Sequence, residues 1–175
     1  MKKVILVLII LVVASSIGFA QFRADIGIAV PRRLGATLDG TLADREEFTI
    51  PSEFVFLVPQ LFLGAEFGVG PVNLGVGGRI YTVILESVAI PAVFAEVELG
   101  PVAVNLNIAG GAFVFFGLAN SVETGQLLLP DLSAHVKIGR SLQVGAGATA
   151  ILTPDIPEDV LPYVFYLSGK FVIRR

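Results

Sequence analysis

The chain has 175 residues, 54% hydrophobic and 15% charged, with a formal net charge of −3, one histidine and no cysteine. Lack of cysteine excludes disulfides, thiol catalysis, thiolate metal sites and a lipid-modified N-terminal cysteine, and the mild acidity gives no basic patch for nucleic acid. Soluble domains carry about 25% charged residues, so the apolar surplus needs a location other than an ordinary core.

Lys2 and Lys3 precede an unbroken apolar run from Val4 to Val13 and a small-residue stretch from Ala14 to Ala20, with Gly18 and Ala20 where a signal peptidase needs small side chains. This predicts a signal peptide over residues 1–20, cleaved before Gln21. Its apolar core is too short for a membrane span of about 20 residues. A single domain over 21–175 follows. Nowhere later do about 18 apolar residues run together without glycine, proline or charge, so the surplus is not in spanning helices.

Read with a period of two, the remainder divides into eight segments: Gln21–Pro31, Phe54–Val69, Val72–Leu85, Pro91–Leu99, Val102–Phe116, Leu129–Ile138, Leu142–Leu152 and Pro162–Ile173. Short turns are expected at Gly70-Pro71, Gly100-Pro101 and Gly139-Arg140-Ser141. Longer connections are expected at 32–53, 86–90, 117–128 and 153–161, the first carrying the charged run Asp44-Arg45-Glu46-Glu47. Tight turns on one side and longer loops on the other are the asymmetry of outer-membrane barrels. Pro59, Pro91, Pro130 and Pro162, spaced 32, 39 and 32 residues apart, would each stand near the loop-side start of a strand, where a missing N–H is tolerated.

The alternation itself places the charges. In the sixth segment Asp131, Ser133, His135 and Lys137 oppose Leu132, Ala134, Val136 and Ile138; in the fourth, Glu96 and Glu98 oppose Val93, Ala95, Val97 and Leu99. A soluble barrel would point the polar faces outward. These faces are thin, rich in glycine and alanine, and carry one or two charges each, which suits a crowded lumen better than a solvated surface. The expected fold is therefore all-β, an eight-stranded antiparallel up-and-down transmembrane barrel. Its lumen would hold Arg23, Asp25, Glu66, Arg79, Glu96, Glu98, His135, Lys137 and Lys170, four fixed positive charges against four negative ones. Buried charges persist when paired, so a salt-bridge network, structural or gating, is expected to fill the narrow lumen.

No catalytic, cofactor or metal site is expected. The lone imidazole, His135, shares a strand face with Ser133, but same-face neighbours lie about 7 Å apart, too far for a direct hydrogen bond. A single histidine also makes no metal cluster.

Over its whole mature length the chain resembles the small eight-stranded outer-membrane barrels, such as the OmpA transmembrane domain, OmpX and the OmpW group. The likeness is architectural and rests on no family motif. It departs from the pattern at the end: Ile173-Arg174-Arg175 replaces a terminal aromatic, so the assembly signal is either moved inward to Phe171 or read in a variant form. The resemblance implies the outer membrane of a diderm bacterium, both mature termini periplasmic, and contact with outer-membrane lipid, periplasmic chaperones and the barrel-assembly machinery. For function it implies a porin-like narrow channel for small hydrophobic solutes, with Phe54, Phe56, Phe62, Phe113 and Phe115 lining an apolar upper vestibule. Two alternatives stay open: a structural or adhesion barrel with a closed lumen and partner-binding loops, and a lipid-modifying enzyme.

Overall fold

The computed structural model describes residues 20–37, 45–51, 56–83, 86–117, 123–157 and 159–175. The export segment expected over 1–20 lies outside them except for Ala20. Nine strands follow in order: β1 (Gln21–Thr37), β2 (Arg45–Thr49), β3 (Val58–Val69), β4 (Val72–Val83), β5 (Glu86–Leu99), β6 (Val102–Gly117), β7 (Glu123–Ile138), β8 (Leu142–Ala150) and β9 (Leu161–Arg174). Each pairs antiparallel with its neighbour, and β1 pairs with both β3 and β9, so eight strands close into a barrel. The seam is tied at its end by reciprocal backbone hydrogen bonds between Phe22 and Arg175, 2.7 and 2.9 Å. β2 pairs with the last five residues of β1, on the edge of β1 that β3 occupies over Gln21–Ala29.

Turn chemistry fixes the three tight connections. Val69 faces Val72 and Leu99 faces Val102 across two-residue loops. Gly70 and Gly100 each take φ of 62°, and the following prolines supply the negative φ that completes a type II′ turn. Gly139, at φ 69°, opens the third. Their carbonyls are used by the next strands: Lys137 N–H donates to Pro101 at 2.7 Å and Val172 N–H to Ser141 at 2.8 Å.

At the opposite end β1, β5 and β7 run further than their alternation suggests, whereas β3 begins at Val58 and β8 ends at Ala150, inside the expected Phe54 and Leu152. β1 continues six residues past Pro31 because a bulge at Arg32 absorbs the break in parity: Pro31 faces Tyr166, yet Arg33 already faces Phe165. The segment 86–90 is strand, not connection, since Val83 pairs with Glu86. Part of 32–53 is β2, and part of 117–128 is the start of β7.

Two prolines accordingly sit inside strands instead of at their starts. At Pro91 the β5–β6 register shifts, with Ala89 facing Val114 but Ala92 facing Ala109, and Gly111 takes a φ of 103° to accommodate the extra residues. At Pro130 the β7–β8 ladder ends at Asp131–Thr149, and only the Leu128–Leu152 bridge continues it. The missing N–H is thus met by a bulge or a gap.

Candidate functional site

The barrel is inside out relative to a soluble one. Leu132, Phe171 and Val76 are 57%, 54% and 53% exposed, while Arg23, Glu96 and Asn107 have no exposed surface. Each of the eight ring strands contributes apolar side chains to the outer face, and an exposed apolar belt around a closed barrel is stable only against hydrocarbon. This is a transmembrane barrel. Its chemistry lies in the lumen.

Toward the tight turns the lumen is crossed by one charged layer centred on Arg23. The guanidinium donates to Asp25 through Nε (2.7 Å) and Nη2 (2.9 Å), to Glu96 through Nη2 (3.0 Å) and Nη1 (3.2 Å), and to Glu66 through Nη1. Arg174 reaches two of these acids, at 2.8 Å from Glu66 and 2.6 Å from Glu96, and lies 3.3 Å from Glu98. Lys170 lies 3.6 Å from Asp25 and 3.8 Å from Glu96, and Lys137 donates to Glu98 at 2.6 Å. The Phe94 ring covers Arg23 with its centroid 4.3 Å from the guanidinium carbon. Such charges are tolerable here because every acid of the layer has at least one cation.

Of the nine residues expected in the lumen network, seven fall in or beside this layer. His135 and Arg79 do not join its ion pairs. His135 Nε2 hydrogen-bonds Ser168 at 2.9 Å, not Ser133. That pair lines a cavity of about 30 Å3, room for water but not for an acyl chain. Arg79 lines the same cavity, with Nη1 3.5 Å from the Tyr81 hydroxyl and its guanidinium about 6 Å from the Phe62 and Tyr81 ring centres. Two participants were missed. Arg174 keeps parity with Lys170 through Val172, a signal present in the sequence. Asp131 lies on the polar face and accepts hydrogen bonds from Thr149 (2.6 Å) and Tyr166.

Tyr166 crosses from β9 to Asp131 on β7 because the intervening strand is cut away: a Cβ on Gly147 would lie 2.6 Å from the Tyr166 Cζ. Tyr166→Phe removes one of the two hydroxyl donors from a buried carboxylate. It is expected to lower the unfolding free energy of the refolded barrel by about 1–3 kcal/mol, seen as a lower urea midpoint, whereas a purely apolar role for the ring would leave the midpoint unchanged.

Above the charged layer one wall is apolar. Phe62 and Phe94 meet edge to face with centroids 5.3 Å apart, packed with Ile90, Ala92 and Ala109. Beyond it the end away from the tight turns opens into a cavity of about 550 Å3. Its walls include Leu34, Phe48, Phe56, Leu129, Ile151 and Val164, and its floor Gln60, Tyr81, Thr149 and Tyr166. Of the five phenylalanines expected in a vestibule, Phe56 lines this cavity. Phe62 and Phe113 pack in the apolar wall below, and Phe115 pairs with Val88 on β5 and Glu123 on β7 without lining the cavity. Phe54 lies outside the described residues. The aromatic contribution from Phe48 was hidden by the charged run before it.

No protein-family model matches the chain, and no curated protein matches it. Among solved structures it is similar to Neisserial surface protein A (TM-score 0.49, 11% identity, 87% of this chain and 97% of that one). It is also similar to Ail, the attachment invasion locus protein of Yersinia pestis (TM-score 0.42, 10% identity, 88% of this chain and 99% of that one).

Proposed function

We propose that the chain is an outer-membrane β-barrel that takes small apolar solutes into an outward-facing vestibule, above a lumen closed by ion pairs. The observation that carries this reading is the apolar cavity of about 550 Å3 at one mouth, within the size range of small-molecule sites. Orientation follows the usual asymmetry, with the tight turns and both mature termini on the periplasmic side. Export and folding would engage periplasmic chaperones and the barrel-assembly machinery, and outer-membrane lipid would cover the apolar belt.

The charged layer argues against free ionic conduction along the axis, so solutes entering the mouth would leave by displacing side chains or sideways between strands. The decisive measurement pairs two assays on the purified barrel in lipid vesicles. Saturable binding of a small apolar solute such as naphthalene, together with near-baseline conductance in a planar bilayer, is expected. Binding no greater than to protein-free vesicles would reject the vestibule and favour the second reading. That reading is a closed structural or adhesion barrel whose outer connections bind a partner, and the continuous ion pairs around Arg23 are what favour it.

A further inference from the structure

The vestibule has apolar walls but a polar floor, and one cation beneath that floor makes no direct ion pair. Among the described residues, the lumen cations Arg23, Lys137, Lys170 and Arg174 each lie in an ion pair with a carboxylate. Arg79 lies in none. Its Nε is buried without a hydrogen-bond partner, and its neighbours are the faces of Phe62 and Tyr81. Asp131, the acid that shares its small cavity, is already served by the hydroxyls of Thr149 and Tyr166. Gln60 and Tyr166 line both this cavity and the vestibule, so a floor one side chain thick lies between the guanidinium's cavity and the apolar space above.

We infer that the vestibule takes a chain-like monocarboxylate, its apolar tail against Phe48, Phe56, Leu129 and Ile151 and its carboxylate on the floor at Gln60 and Tyr81, in the field of Arg79. The floor is suited to an accepting head group. The Tyr81 hydroxyl oxygen faces Arg79, which leaves its proton free to donate upward, and the Gln60 amide has donors of its own. A carboxylate arriving there gains charge-assisted hydrogen bonds in a poorly hydrated site. The simpler alternative is a water bridge between Arg79 and Asp131, for which a cavity of about 30 Å3 has room. In that case the head group of a ligand would make no difference.

This inference rests on the vestibule reading, and one experiment separates the two. The barrel is refolded in nanodiscs of zwitterionic lipid, free of detergent, and binding of radiolabelled laurate and of dodecanol is measured above empty nanodiscs. Laurate is expected to bind at least about tenfold more tightly than dodecanol. Arg79→Gln, checked for folding by heat-modifiable gel mobility, is expected to erase the difference while leaving dodecanol binding in place. Ile151→Trp, which fills the cavity, is expected to lose both ligands. Equal affinity for the two ligands in the unaltered barrel overturns the head-group assignment alone, and does so whether or not the Arg79 variant folds. Discrimination that survives Arg79→Gln overturns it as well. Binding of neither ligand above background overturns the vestibule reading with it.

Discussion

Replacing Arg23 by leucine is expected to lower barrel stability by about 3–5 kcal/mol, read as the urea midpoint of the protein refolded in lipid vesicles. The guanidinium is fully buried and donates to Asp25, Glu66 and Glu96 at once. Removing it leaves three buried carboxylates with only Lys170 and Arg174 to share among them. Leucine returns some apolar contact to Phe94, but that is worth roughly 1–2 kcal/mol at most and does not offset an uncompensated acid. Replacing Arg23 together with Asp25 and Glu66 by apolar residues of similar size should recover much of the loss, because the desolvation cost of the ions goes with them. A midpoint unmoved by the single substitution would mean that the layer contributes nothing to stability.

The second large effect contrasts two adjacent glycines on β4. Gly77→Val is expected to cost at least about 3 kcal/mol, or to prevent folding, while its neighbour Gly78→Val should be neutral or slightly stabilising. A Cβ on Gly77 would lie 2.7 Å from the Gly64 Cα and collide with the Leu63 carbonyl, backbone atoms that cannot swing aside. A Cβ on Gly78 would have nothing within 4 Å. Gly78 is exposed on the outer face, where a β-branched residue suits a strand against lipid. Heat-modifiable mobility of the two variants gives the answer directly. Equal behaviour would mean that the lumen glycines are not close-packing positions.

The architecture was legible because a strand has a period of two and the charges obey it. Parity alone put Arg23, Asp25, Glu66, Glu96 and Lys170 inside, and Gly-Pro dipeptides marked two of the three tight turns. The errors arose where parity is interrupted. The bulge at Arg32 made β1 look six residues too short, and Pro91 and Pro130 were read as strand starts because the chain accommodates them with a register shift and a broken ladder. β2 was obscured because a charged run conceals the apolar Phe48 and Ile50 that follow. Within the site, parity can say that Asp131 faces the lumen but not that Tyr166 reaches it. That contact spans a whole strand and depends on how little volume Gly147 occupies.

The charged layer also bears on the order in which the barrel closes. Arg23 comes from the first strand, its acids from β1, β3 and β5, and Lys170 and Arg174 from the last. An unclosed sheet of β1 to β8 holds three cations, Arg23, Arg79 and Lys137, against the acids Asp25, Glu66, Glu96, Glu98 and Asp131. It is two negative charges out of balance in a space about to lose its water. β9 brings the two missing cations as it zips between β8 and β1. Docking of the final strand therefore discharges the interior at the same step that removes both free edges. A sheet that tried to seal early, without β9, would trap that excess charge, so electrostatics as well as hydrogen bonding favours a ring of eight over a smaller one.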